Sequence, residues 1–369
     1  MVLYVLVAVI TVLLGLLVNN RCIVRGHMVS RQQILNGLCL VSVFLLLFAV
    51  SACRLNVGND YAKYVEFMHL VHCDAFVPTE CGFNWIVKVI YGLSGFENYL
   101  LVFAFFAFFT IMLFLIAIYQ QADSFAFSFF LFMAFGYYFQ SFNTVRYYLA
   151  LAIAVVAIPY VLRREWLKFI LLVVLGATLH KSILVVIPLY FLASLNWKKW
   201  QLGIAGLFCS TFFFMQDFYL RVVVFLYPTY EDTEYLEGGT SLVNIARCLA
   251  MLILSLICYK KVVRDSRRNR FYFYCNLGAL VMYVCCSFLP IISRIGYYLT
   301  ITHIFFLPAL LEGIENKKIK KLFTAGVVGA AILYFTVFIL MQAGNDGLRI
   351  LPYETLMFHD MVPILSAVN

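Results

Sequence analysis

The chain has 369 residues, of which 64% are hydrophobic and only 12% charged, about half the charge expected of a soluble domain. That excludes a soluble globular protein and assigns a polytopic membrane protein. The net charge of +9 does not mark a nucleic-acid partner, because the basic residues fall in short clusters between apolar runs and no soluble segment interleaves them with stacking aromatics.

About 20 apolar residues cross a bilayer as a helix. On that rule the sequence predicts an all-α, polytopic membrane helix bundle of about 12 spans, including short or re-entrant helices: 2–19, 33–53, 98–119, 125–140, 144–162, 168–180, 182–195, 201–216, 242–259, 271–289, 294–311 and 322–342. No small-residue cleavage pattern follows the first run, so it reads as a span and not as a signal peptide. The pair 168–180 and 182–195 is short. It reads either as two half-length helices meeting at His180 or as one helix and a re-entrant piece. Three segments are too long to be turns, 54–97, 217–241 and the tail 343–369, and loops of that length usually carry function or are disordered. The first contains an amphipathic stretch, Phe83 to Leu93, suited to lie along the membrane interface. The second is acidic and rich in Tyr. The whole of 1–369 is expected to form a single integral membrane domain.

Alternating the connections places 18 of the 27 basic residues on one side, with a balance of +13 there against −4 on the other. By the positive-inside rule the 18-cation side is cytoplasmic, both termini lie outside, and the long segments hang over the outer face. No P-loop or GxGxxG occurs, which argues against nucleotide chemistry on the inside.

Solitary cations sit on that outer face. A cation at the edge of hydrocarbon is costly and by default marks a functional site. Asn143-Thr-Val-Arg146 opens a helix, with Asn143 as its expected N-cap and Arg146 in its first turn, where the helix dipole opposes a cation. An anion reverses that balance, since free backbone N–H groups and a guanidinium then converge on it. Asn244-Ile-Ala-Arg247 repeats the arrangement, and Ser293-Arg294 opens a third helix. His180-Lys181 lies on the same side, and histidine is the side chain best suited to take a proton near neutral pH. Arg54 leaves the second span at a helix C-terminus, a comfortable place for a cation. Asp60, in the Gly58-Asn-Asp60 turn, reads as a general base, a sugar-hydroxyl acceptor or a turn residue. His69, His72 and Cys73 have helix-face spacing, yet no carboxylate pattern completes a metal site, so none is assigned. Cys73 and Cys81 share the first long loop and would be free to pair in an oxidising compartment.

The series Arg54-x-x-x-Gly58-x-Asp60-Tyr61-x-x-Tyr64, Asn143-x-x-Arg146-x-x-Leu149-Ala150, Leu179-His180-Lys181-Ser182-Ile183-Leu184 with Pro188, and Ser293-Arg294-Ile295 resembles the EpsG-type membrane proteins, Wzy-like polymerases of O-antigen, capsule and exopolysaccharide. The resemblance runs in order from about 54 to 298 and departs at Tyr147, where the family pattern carries Gln. It implies a glycosyltransferase of the bacterial cytoplasmic membrane, glycosyltransferase-C-like in fold, whose active site faces the periplasm. The implied substrate is an undecaprenyl-diphosphate-linked oligosaccharide, with membrane lipid and a chain-length regulator protein as partners and no cofactor. In these terms Arg146 and Arg294, with Arg54, Arg247 and Lys181, hold the diphosphate. His180 or Asp60 deprotonates the acceptor hydroxyl, and Tyr61, Tyr64, Asn143 and Tyr230 contact sugar. Two other readings remain open at this point. A lipid-oligosaccharide flippase or transporter would line both leaflets with cations, whereas here they concentrate at one face. A membrane O-acyltransferase would place its His and Arg near a cytoplasmic acyl donor, and here the candidates lie outside.

Overall fold

The computed structural model describes residues 1–21, 30–226, 242–289, 292–344 and 347–358. Among these the protein is all-helical, with one isolated antiparallel bridge between Arg54 and Thr355. In chain order the helices are α1 (Val2–Leu16), α2 (Arg31–Ala52), α3 (Tyr61–His72), α4 (Cys81–Ser94), α5 (Tyr99–Gln121), α6 (Phe125–Ala134), α7 (Tyr137–Gln140), α8 (Val145–Leu162), α9 (Trp166–Ala177), α10 (Val186–Ser194), α11 (Lys199–Phe214), α12 (Gln216–Leu226), α13 (Leu242–Ile257), α14 (Arg267–Cys285), α15 (Ile292–Thr300), α16 (His303–Glu312) and α17 (Lys317–Val337).

Among the described residues five stretches are long and apolar enough to cross a membrane: α2, α5, α8, the α15–α16 run Arg294–Glu312, and α17 prolonged to Gln342; counting the bent pair Lys199–Phe212 and Gln216–Val222 as one span makes six. The expected count of about twelve is therefore not reached by length. The shortfall has a physical cause. At 1.5 Å per residue, a helix of 10 to 12 residues covers about 15–18 Å of a roughly 30 Å core. The run 125–140 is cut by Gly136, whose φ of 75° ends α6 and starts the one-turn α7. The runs 168–180 and 182–195 are two half-length helices, α9 and α10, joined through a 3-10 turn at Lys181–Val185, which matches the first of the two sequence readings. The run 201–216 continues into 217–226 as a second helix after an 86° bend, so the start of the expected outer loop is helical.

The chain divides into two compact units. One comprises Met1–Val156, Leu171–Ile183 and Glu315–Asn369; the other comprises Ala157–Ile170 and Leu184–Ile314. Within the first, α2 begins with a Ser30–Gln33 capping box and turns the stripe Asn36, Cys39, Val43, Leu47 and Ser51 inward. That spacing puts all five side chains on one face, and the face packs on α5. The expected loop 54–97 is mostly helix. α3 buries Tyr61, Tyr64, Val65, Met68 and Val71, and α4 buries Phe83, Ile86, Val87, Ile90 and Tyr91, two amphipathic faces that meet each other, while α4 also reaches α5. The opposite face of α4 leaves Trp85 67% and Leu93 83% exposed, the side expected to meet the bilayer interface.

The tail is tied down. Gly58 and Asn59 donate backbone N–H groups to Arg349 O and Leu348 O at 2.9 Å each, and Leu55 and Leu356 donate to Glu354 O and Cys53 O at 3.0 Å. Residues 347–358 thus run beside 53–59. Between α1, α6 and α17 lies an apolar cavity of about 490 Å³, walled by Val5, Val9, Phe130, Met133, Ile332 and Phe335 among others.

In the second unit α14 is the hub, packing on α10, α11, α13, α15 and α16. Its Asn276 accepts at Oδ1 from His303 Nε2–H at 2.8 Å and donates Nδ2–H to Cys248 O at 3.1 Å. This polar link ties α13, α14 and α16 inside the apolar unit.

Candidate active site

In the first unit three helix ends bring charges together. Arg146 is the second residue of α8, Glu80 directly precedes α4, and Thr178 to Lys181 follow α9. The start of α4 is set against Thr178: Gly82 donates its N–H to Thr178 O at 2.8 Å, and a Cβ on Gly82 would stand 2.5 Å from Thr178 Oγ1 and 2.7 Å from its carbonyl oxygen. Only glycine permits that approach. It delivers Glu80 to His180 and Lys181.

Glu80 Oε2 accepts from Arg146 Nη1. Glu80 Oε1 accepts from the Lys181 backbone N–H at 3.0 Å and lies 3.3 Å from His180 Nδ1. The side chains of Glu80, Arg146 and His180 are only 10%, 12% and 16% exposed, so these charges act on one another with little screening. The Arg146 guanidinium carbon also stands 5.1 Å from the Phe83 ring centroid and 5.5 Å from that of Tyr64, within cation–π range. The Tyr147 ring meets His180 edge-on at 5.8 Å. Burial pushes the Glu80 carboxyl up, but the His180 hydrogen bond, the Arg146 charge and the Lys181 N–H outweigh it and hold the group down at about 2. Glu80 is a carboxylate at any pH the protein would work at.

The other predicted residues are placed as follows. Asn143 is not the N-cap of α8: it lies two residues ahead of Val145, and its Oδ1 accepts the Asp60 backbone N–H at 2.8 Å. The correction follows from Gly58, whose backbone packs on Phe142 and Asn143 and brings Asp60 to that side chain. Asp60 is half-buried directly ahead of α3. Tyr61 and Tyr64 are buried, Tyr61 stacking on Phe103 at 4.5 Å and Tyr64 lying under Arg146. The Lys181 side chain is exposed while its N–H serves Glu80. Arg54 is 1% exposed, with its guanidinium carbon 5.1 Å from both the Phe103 and Phe142 rings and its Nη1 donating to Ser51. Arg247 and Arg294 belong to the second unit. Asn244 is the third residue of α13, not its cap, and its Oδ1 accepts from Arg247 Nη2 at 3.0 Å. Arg294 is the third residue of α15. Tyr230 lies outside the described residues. His69 Nδ1 faces the Glu97 carboxylate at 2.9 Å, and Cys73 and Cys81 are exposed, unbridged thiols.

Glu80 escaped the sequence reading. Its one local signal is an acid directly ahead of an amphipathic helix with glycine two residues on; its partners are 66 and 101 positions away.

The profile of the EpsG family matches residues 37–355. The chain belongs to the EpsG family. The match spans the glutamate hub as well as Arg54, Arg247 and Arg294, and with the apolar helices it makes this EpsG-family chain a multi-pass membrane protein of polysaccharide biosynthesis. No curated protein and no solved structure matches it.

The close approach at Gly82 gives a direct test of the hub. In Gly82→Ala the new methyl must push α4 off Thr178, moving Glu80 away from Arg146 and His180, and the thermal midpoint of the purified protein should fall. Gly92→Ala in the same helix meets nothing within 4 Å among the described residues and should hold or raise the midpoint, since Ala favours a helix over Gly by about 0.5–1 kcal/mol.

Proposed function

We propose that the protein is a polysaccharide polymerase that joins oligosaccharide repeat units carried on undecaprenyl diphosphate, acting at the outer face of the bacterial cytoplasmic membrane. The observation that carries this reading is the half-buried Arg146 at the start of α8 and His180 held by the same Glu80 carboxylate, a cation and a candidate base together in an EpsG-family chain. The acceptor sugar hydroxyl attacks the anomeric carbon of the donor. A new glycosidic C–O bond forms as the bond from that carbon to the diphosphate oxygen breaks. The hydroxyl proton goes to His180 or Asp60, and the electron pair leaves on the lipid diphosphate.

Arg146 stabilises the charge that grows on the leaving group. Arg294, Arg54, Arg247 and Lys181 remain proposed as further contacts of the diphosphate, and Tyr61, Tyr64, Asn143 and Tyr230 as contacts of sugar. The apolar cavity of the first unit has the chemistry to take part of a hydrocarbon tail. No nucleotide or cofactor enters, because the sugar–diphosphate bond supplies the driving force. A chain-length regulator is the expected protein partner.

Purified protein given a defined diphosphate-lipid oligosaccharide should form a ladder of longer glycans, and absence of any ladder from active, folded protein defeats the reading. The same assay separates the two candidate bases. Histidine is the side chain best suited to take a proton near neutral pH, so His180→Gln should lose about 10²-fold or more in rate and Asp60→Asn much less; the reverse ranking moves the role to Asp60.

A further inference from the structure

The Glu80 carboxylate receives a guanidinium N–H, a backbone N–H beside a helix break and an imidazole. That is the donor set a phosphate oxygen takes from a protein. A carboxylate held there is the nearest thing a polypeptide has to a bound phosphate. Its grip on Arg146 leaves capacity unused: it contacts Nη1, while Arg146 Nε is buried with no hydrogen-bond partner among the described residues. A diphosphate has more oxygens than a carboxylate and could engage both nitrogens in the forked geometry guanidinium favours. A diphosphate and Glu80 cannot share the site, since both are anionic and the surroundings screen poorly.

We infer that Glu80 is an exchangeable counter-ion, a built-in carboxylate that occupies the diphosphate site when it is empty and is displaced when a lipid-linked diphosphate binds. The inference rests on the diphosphate reading of Arg146 given above and adds to it the regulation of that site. Glu80 keeps the Arg146 charge paired between turnovers, and its displacement frees the start of α4. Because Glu80 directly precedes Cys81, diphosphate binding is thereby reported to α4 and its exposed Trp85 and Leu93.

The test is binding of inorganic pyrophosphate, and separately of farnesyl diphosphate, to the full-length protein in detergent, followed by calorimetry. Glu80→Gln keeps the shape and the hydrogen-bond acceptor but removes the competing charge, so it should bind both probes about tenfold more tightly than the parent. Glu80→Asp, still charged, should show no gain, and Glu80→Gln with Arg146→Ala should lose it. A gain with farnesyl diphosphate alone assigns the displacement to the lipid-borne form. Equal or weaker binding by Glu80→Gln, while the parent binds, overturns the counter-ion role and leaves the diphosphate site standing. No binding by the parent or by Glu80→Gln at millimolar probe overturns both. A second measurement needs no variant: in the unaltered protein, pyrophosphate should speed hydrogen exchange of the Cys81–Phe83 amides while the Lys181 amide stays protected, and slowed exchange at the α4 start contradicts displacement.

Discussion

Replacing Arg146 with Ala is expected to abolish long glycan chains while lipid-linked single repeat units accumulate, with a rate loss of about 10²–10³-fold in the purified assay, the range for removing one preorganised stabiliser of a developing negative charge. A second effect must be separated from that one. Arg146 and Glu80 are an ion pair only 12% and 10% exposed, and removing one member of such a pair strands the other at a cost of about 3–5 kcal/mol. Arg146→Ala alone will therefore also lower the yield of folded protein. Two companions resolve the ambiguity. Arg146→Lys keeps a charge for Glu80 but loses the planar fork, so it should fold well and still polymerise poorly. The double variant Arg146→Ala with Glu80→Ala removes both charges, which is far less damaging to the fold than removing one; it should recover folded protein without recovering chain length. If the double variant restores long chains, Arg146 serves the fold alone and the diphosphate assignment fails.

The cations of this site were legible in the sequence for a simple reason: a charge among apolar residues stands out against its neighbours. Arg146 at the start of α8 and His180-Lys181 at a helix break could be picked out by position along the chain. The carboxylate that binds them together could not. Glu80 sits in what composition alone presents as a polar loop, and its three contacts depend on Gly82 reaching Thr178, a contact between α4 and the end of α9 that no local pattern encodes. Much the same limit governs the helix count. Apolar runs announce membrane helices, but the break at Gly136 costs no hydrophobicity, so composition reads 125–140 as one helix where the chain forms α6 and α7. Asn143 shows the limit in a third form. Asn-x-x-Arg is a reasonable cap pattern, yet the side chain goes to the Asp60 N–H, because a distant glycine brings that donor against it.

That glycine carries the second large expectation. Gly58 has a φ of 112°, a region that costs residues with a Cβ about 1–3 kcal/mol, and a Cβ there would stand 2.7 Å from Phe142 O and 3.3 Å from Asn143 Cα. Strain and overlap therefore act together, and backbone atoms cannot step aside as a side chain would. Gly58→Ala should open the segment 54–60 away from the turn ahead of α8. Three contacts go with it: the Asp60 N–H bond to Asn143, the Gly58 and Asn59 bonds to the tail at Arg349 and Leu348, and the covering of Arg54. The expected result is a lower thermal midpoint, faster protease cleavage between Gly347 and Phe358, and loss of polymerisation approaching that of Arg146→Ala. Asn143→Ala removes the side-chain acceptor without touching the backbone, so it should reproduce part of the activity loss and little of the tail release. The neighbouring Asn59→Ala is a control, since Asn59 is exposed and uses its backbone N–H for the tail. If Gly58→Ala leaves the tail protected and the chains long, the Asp60 turn is not held by the contact described, and its role as a neighbour of the Arg146 site falls with it.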